Sequence, residues 1–346
     1  MDINKYLNEI YPKQIEYLGT DKIINKIEPL VSVFVTTYQH ESFIRQCLDG
    51  ILMQKVNFSF EILLGEDESS DGTRGICKEY ADKYPDKIRL FLRNRKESVL
   101  YDEKGRFIIM NSKLLRICSR GRYTAICEGD DFWLDDQKLQ RQVDFLEANP
   151  DYGLVHTDIE YIDEFSNIIP PPEGLHKGIR DRIFDGYIFD YYLNNPGFIL
   201  TASCMYRSEL LKNLGTNEWF VFDHWFFLEI SRKSKIFFIP EKLTAYRRNP
   251  NSLMISAHSF ITDRTYYVLL DQIFRFYGKN TQTLGYYLHN KKVEQEILKC
   301  YIELLKKAMK GKLEDKNKIL AILLRNIDFI IKLPVYVIKN FFVKIF

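Results

Sequence analysis

Leu30-Val31-Ser32-Val33-Phe34-Val35 runs directly into Thr36-Thr37-Tyr38-Gln39-His40. The first six residues are a β-rich apolar run, and the polar residues after them break it. Working outward, Phe43, Ile44, Cys47, Leu48, Ile51 and Leu52 recur at the spacing of one helical face. A second strand is predicted at Phe60-Glu61-Ile62-Leu63-Leu64, ending at Gly65-Glu66-Asp67-Glu68. Ser69-Ser70-Asp71-Gly72 reads as a turn and N-cap into a helix that ends near Tyr84-Pro85. Ile88–Leu92 is a third strand, a helix covers the region around Ile108–Cys118, and Tyr123–Cys127 is a fourth strand. Residues 1–28 read as a short helical lead that stops before Pro29. Strand and helix alternate, so the fold class is α/β, with a mixed, mainly parallel central sheet.

That order has a chemical consequence. In open α/β sheets, ligands bind outside the carboxyl ends of the strands. Thr36-Thr37-Tyr38, Glu66-Asp67-Glu68 and Glu128-Gly129-Asp130-Asp131 each follow a strand, so they should line one cleft. Carboxylates crowded this way repel one another and raise some pKa values unless a cation joins them. Such hard oxygen ligands suit Mg²⁺ or Mn²⁺, which commonly bind together with substrate phosphates. Any one of these clusters could equally be a solvated turn; two clusters ending two strands of one sheet are harder to explain that way. No G-x-G-x-x-G follows the first strand, and no G-x-x-x-x-G-K-[ST] occurs, so two common phosphate-binding loops are excluded.

These residues carry a resemblance. Pro29-Leu30-Val31-Ser32-Val33-Phe34-Val35-Thr36-Thr37-Tyr38-Gln39 is similar to the opening strand of the family 2 glycosyltransferases. Gly65-Glu66-Asp67-Glu68-Ser69-Ser70-Asp71-Gly72-Thr73 resembles their second motif, D-D-G-S-x-D-G-T, and Ala125 to Leu134 resembles their D-x-D segment. The resemblance covers residues 29–255. It implies a glycosyltransferase A-type fold, a nucleotide-diphospho-sugar donor with a UDP-sugar first in line, a divalent metal (Mn²⁺ or Mg²⁺) and inverting transfer. Position by position, it implies that Thr36, Tyr38 and Asp67 meet the donor base, and that Asp130 is the metal ligand. Glu128 stands in the first D-x-D position, Glu66 replaces an Asp, and Glu68 replaces a Gly. Asp131 is read as a helix N-cap or as a residue behind the ligands.

Downstream, the resemblance places an acidic base at a helix start. Trp219-Phe220-Val221-Phe222-Asp223-His224 fits, so Asp223 is the expected catalytic residue, with N-capping as its other reading. Ala245-Tyr246-Arg247-Arg248-Asn249-Pro250-Asn251-Ser252 resembles the closing Y-R-x-H-x-x-S segment. Arg247 would then approach the diphosphate, and Asn249 fills the histidine position, so no histidine ligand is expected there. Gly153–Asp158 reads as a further strand with a polar end, in which His156 is an ordinary strand histidine.

Forty-nine Lys+Arg against 47 Asp+Glu give a net charge of +2, without the basic excess of a nucleic-acid binder. The charge is uneven, because residues 291–346 alone hold 13 basic and 6 acidic side chains. Cys47, Cys77, Cys118, Cys127, Cys204 and Cys300 form no C-x-x-C pair and read as buried thiols. The charged start, Met1-Asp2-Ile3-Asn4-Lys5, is unlike a signal peptide, so a cytoplasmic location is expected. The domain reading is a lead (1–28), a catalytic domain (29–255, with a donor half to 131 and an acceptor half from 132) and a basic helical C-terminal segment (256–346). That segment suits either an anionic membrane surface or packing on the catalytic body or a second subunit. The acceptor would be a saccharide or lipid-linked saccharide in surface polysaccharide synthesis. A catalytically silent sugar-nucleotide-binding or scaffold protein, and a nucleotidyltransferase, stand as alternatives.

Overall fold

The computed structural model describes residues 15–17, 23–95, 99–101, 107–109, 111–171, 185–194, 198–212 and 222–249. The chain divides into two units, Met1–Ser256 and Ala257–Phe346, and every described residue lies in the first. The basic C-terminal segment and Cys300 therefore lie outside the described residues.

The strands are Ile15–Tyr17 (β1), Val31–Thr37 (β2), Phe60–Glu66 (β3), Ile88–Leu92 (β4), Val99–Tyr101 (β5), Phe107–Ile109 (β6), Tyr123–Ile126 (β7), Phe132–Trp133 (β8), Tyr152–Ile162 (β9), Met205–Arg207 (β10) and Lys235–Arg247 (β11). The helices are Ile44–Leu52 (α1), Thr73–Lys83 (α2), Asn111–Cys118 (α3), Lys138–Ala148 (α4), Phe189–Asn194 (α5), Glu209–Lys212 (α6) and Phe222–Lys233 (α7). Nine strands form one sheet in the order β1-β4-β3-β2-β7-β10-β9-β11-β8, and β5 pairs with β6 apart from it. β4, β3, β2 and β7 run parallel, as do β9 and β11; β10 is antiparallel to both of its neighbours.

The parallel centre explains why these strands are apolar almost throughout. Val31, Val33, Val35, Ile62, Leu64, Ile88 and Leu90 share one core with Ile44, Leu48 and Ile51 of α1, Tyr80 of α2 and Leu139, Val143 and Leu146 of α4. The alternate residues Phe34, Leu63 and Phe91 meet Leu115 and Cys118 of α3 on the opposite face. Both faces of the sheet are covered, as parallel strands require. The five described cysteines are buried and unbridged.

Three stretches differ from the sequence reading. Ile15–Tyr17 is not part of a helical lead but an edge strand antiparallel to Leu90–Leu92, and Ile23–Lys26 makes a 3₁₀ turn. The open edge of β4 offers Ile15 and Tyr17 backbone partners that an isolated short helix would not have. The helix expected from Ile108 begins at Asn111, because Phe107-Ile108-Ile109, aromatic and β-branched, pairs with Val99–Tyr101 instead. The strand expected to end at Asp158 continues to Ile162 along β11.

Candidate active site

Strand order reverses between β2 and β7. From β2 the chain moves outward through β3 to β4, then returns to the other side of β2 as β7. Crevices form at such a point. The backbone pairing continues past the strands: Gly129 N–H donates to the Thr36 carbonyl at 3.0 Å, and Asp67 N–H to the Thr37 carbonyl at 3.1 Å. Two carboxylate-bearing loops are thereby hung on the end of β2.

The loop after β2 is splinted to the Ser69–Thr73 turn. Gln39 Oε1 accepts from the Ser70 amide at 2.7 Å, His40 N–H donates to Thr73 Oγ1 at 2.9 Å, and Glu41 N–H to Asp71 Oδ2 at 3.2 Å. Burial of Asp71 is outweighed by hydrogen bonds from Thr73 and the Glu41 amide, which hold its carboxyl below the usual range. Gln39 and Glu68 both have left-handed backbone, φ +56° and +61°. The second of these explains in physical terms why glycine fits that motif position. Here the Glu68 carboxylate accepts the Arg95 amide at 2.8 Å, which offsets part of the strain.

Asp67 is buried, and its Oδ2 accepts from Arg95 Nη1 at 3.1 Å. The Arg95 guanidinium lies 3.5 Å from the centre of the Tyr38 ring, so Tyr38, Asp67 and Arg95 form one recess wall. Glu66 is employed differently. Its carboxylate has no exposure, accepts the Ser69 amide at 2.6 Å and pairs with Arg74. The longer arm of Glu turns back to brace the loop.

On the other side of β2, Gly129 lets two side chains close in. A Cβ there would lie 2.8 Å from Thr37 Oγ1 and 2.8 Å from His40 Nδ1. His40 Nε2 stands 3.9 Å from Asp130 Oδ2. Burial pulls the His40 imidazole below its ordinary pKa, although Asp130 and Asp71 oppose this, which favours the neutral ring. Asp131 is buried, and its pKa is pushed well up by desolvation and then by the neighbouring Asp130 and Glu128. Its Oδ1 accepts the Arg247 amide at 2.8 Å. Asp131 is thus not a helix N-cap, since α4 begins only at Lys138; it ties the acidic loop to β11.

Arg247 is also corrected. Its Nε donates to the Asp130 carbonyl at 2.8 Å, Nη1 to the Asp163 carbonyl and to Ser166 Oγ at 3.0 Å each, and Nη2 to Gln46 Oε1 at 2.7 Å. The side chain packs over Phe43 at 4.6 Å and is buried. A guanidinium with its fork committed to protein oxygens fastens the acidic loop from behind, where the sequence reading had it approach a diphosphate. His156 is buried against Phe238, an ordinary packed strand histidine. Asp223 occupies the first turn of α7; its side chain lies outside the described residues.

Asp130 and His40 remain partly open, with 18% and 19% side-chain exposure. Among the described residues, no three His, Cys, Asp or Glu side chains are grouped to hold a metal by themselves. The acidic loop fits a cation that brings most of its ligand sphere as water and phosphate oxygen, the habit of Mg²⁺ and Mn²⁺. Burial first, and then the charges of Asp130 and Glu128, raise the Asp131 pKa, and a cation at the loop would offset the second of these. Among the described residues, no helix is long and apolar enough to cross a membrane.

The sequence reading missed Arg95 and the placement of His40. Arg95 follows β4, and the carboxyl-end rule applied to that third parallel strand would have found it. His40 sat in the stretch that decides the fold, three residues past the end of β2.

Comparison with known proteins bears on the family and the fold. The family described as "Glycosyltransferase like family 2" matches residues 29–255. An uncharacterized protein of Mycobacterium tuberculosis is 29% identical over 241 residues, 68% of this chain and 62% of that one, so the chain spans less than two thirds of that relative's length. A Bacillus subtilis protein, TuaG, whose name assigns it to teichuronic acid biosynthesis as a glycosyltransferase, is 30% identical over 154 residues, 43% of this chain and 55% of its own. Among solved structures, S. aureus TarS residues 1–349 in complex with UDP-GlcNAc superimposes with a TM-score of 0.56 at 16% identity, covering 89% of this chain and 82% of that one. That likeness is one of fold, the mixed sheet of the glycosyltransferase A type. With the family match running from just before β2 to just past β11, this chain belongs to the glycosyltransferase-like family 2.

Proposed function

We propose that the protein is a metal-dependent, inverting glycosyltransferase that moves a sugar from a nucleotide-diphospho-sugar, a UDP-sugar first in line, to an acceptor hydroxyl. The observation that carries this reading is the meeting of Tyr38, Asp67 and Asp130 at the carboxyl ends of β2, β3 and β7, where strand order reverses. Tyr38 and Arg95 offer a flat cationic-aromatic wall, and the Asp67 carboxylate is an acceptor for a base N–H. Thr36 lies one residue before the end of β2 and would support the base, while Glu128 and Asp130, either side of Gly129 after β7, would meet the diphosphate and its cation. When bound, a divalent cation held by Asp130 would neutralise charge developing on the departing diphosphate.

The chain's own residues do the rest. Asp223, in the first turn of α7, takes the proton of the acceptor hydroxyl. The acceptor oxygen then bonds to the anomeric carbon as the bond to the diphosphate breaks on the opposite side, inverting configuration. Likeness to a glycosyltransferase of teichuronic acid biosynthesis supports a polymer or lipid-linked saccharide as acceptor. The net +7 of residues 291–346 supports contact with an anionic leaflet on the cytoplasmic side. A donor-hydrolysis assay over a panel of nucleotide sugars with Mn²⁺ tests the reading. Turnover of at least one donor, abolished by chelation, is expected; no turnover and no binding of any donor would overturn it.

A further inference from the structure

The sequence offers Asp130 as a single protein ligand, and its closing segment carries Asn249 where the resemblance has a histidine. The fold brings a different imidazole to the same carboxylate. We propose that His40 is the nitrogen ligand of the divalent cation, paired with Asp130. This rests on the reading of the site as a metal-dependent nucleotide-sugar site.

Three observations carry it. First, His40 Nε2 and Asp130 Oδ2 are 3.9 Å apart. That is too long for a hydrogen bond. Two adjacent ligand atoms on arms of about 2.1 Å stand about 3.0 Å apart around an octahedral ion, so a shared cation would draw this pair together by about 1 Å. Second, the backbone that carries each side chain is held from behind. His40 N–H is fixed on Thr73 Oγ1, its ring lies against Phe43, and the Asp130 carbonyl is held by Arg247 Nε. Third, Gly129 leaves the space that lets His40 close on the loop, since any Cβ there would meet Nδ1 at 2.8 Å. A carboxylate plus an imidazole, completed by phosphate oxygens and water, is a mixed set that favours transition metals over Mg²⁺.

The test uses the full chain with UDP or GDP and Mn²⁺, read by pulsed electron paramagnetic resonance. In the wild type, bound Mn²⁺ should show coupling to a directly ligated ¹⁴N, replaced by ¹⁵N coupling when the protein is labelled at histidine. In His40→Gln that coupling should vanish, Mn²⁺ affinity should fall roughly tenfold or more, and Mg²⁺ affinity should change less. The labelled wild type needs no variant to fold and decides whether any histidine is bound. Mn²⁺ bound with nucleotide but without nitrogen coupling, or coupling that survives in His40→Gln, overturns the His40 role and leaves the metal-site reading standing. Failure of Mn²⁺ to bind with either nucleotide overturns both.

Discussion

Lys138 carries an ammonium into the core at the start of α4, with no exposure, Nζ donating to Gln142 Oε1 at 2.9 Å and lying 4.3 Å from the centre of the Trp133 ring. Burial lowers its pKa to about 8. The unfolded lysine titrates near ~10.4, so between about pH 8 and about pH 10 the unfolded chain binds more protons than the native one, and stability rises with pH. Below that window the buried charge costs about 3 kcal/mol. Lys138→Met should therefore stabilise the protein at pH 7 by roughly 1–2 kcal/mol, after the lost contacts to Gln142 and Trp133. The gain should fade between about pH 8 and about pH 10 in urea midpoints measured across that range. Single residues were legible in position when the strand-end rule applied to them: Tyr38, Asp67 and Asp130 follow β2, β3 and β7. Arg247 was not, because a sequence motif does not tell which oxygens a guanidinium finds. Nothing local distinguishes a phosphate from the carbonyls of Asp130 and Asp163.

At the scale of elements, β3 and α3 meet at one tight point. Asn111 Nδ2 donates to the Gly65 carbonyl at 2.8 Å, and a Cβ on Gly65 would lie 2.0 Å from Asn111 Oδ1. Gly65→Ala should cost about 1–3 kcal/mol by overpacking. The double variant with Asn111→Ala should recover part of that cost, a coupling readable in a double-mutant cycle. The first turn of α7 carries the proposed base. Asp223→Asn should lower transfer by about 10²-fold or more while donor affinity, measured by titration, stays within about twofold. Loss of donor binding in that variant would remove Asp223 from the acceptor side. Long elements were legible from hydrophobic period or from a cap, as α1 and α2 show. The short ones were not: β6 and β1 hold because they find strand partners, Val99–Tyr101 and Leu90–Leu92, distant enough in sequence or weak enough in pattern to escape a local reading.

For the whole molecule, the contrast between a net −5 over residues 1–290 and +7 over 291–346 makes a separable claim. Truncation after Asp315 should leave donor binding intact and abolish co-sedimentation with anionic liposomes, and binding by the full chain should weaken as salt rises. Co-sedimentation that survives truncation would move the membrane contact elsewhere. The central claim is that a metal and a nucleotide-diphospho-sugar meet at the carboxyl ends of β2, β3 and β7. Calorimetric titration of nucleotide sugars with and without Mn²⁺, into wild type and Asp130→Ala, tests it most directly. The account predicts that at least one donor binds the wild type in a Mn²⁺-dependent manner, and that Asp130→Ala loses this dependence while keeping its unfolding midpoint. Donor affinity indifferent to Mn²⁺ in the wild type, or unchanged Mn²⁺-dependent affinity in Asp130→Ala, would contradict it.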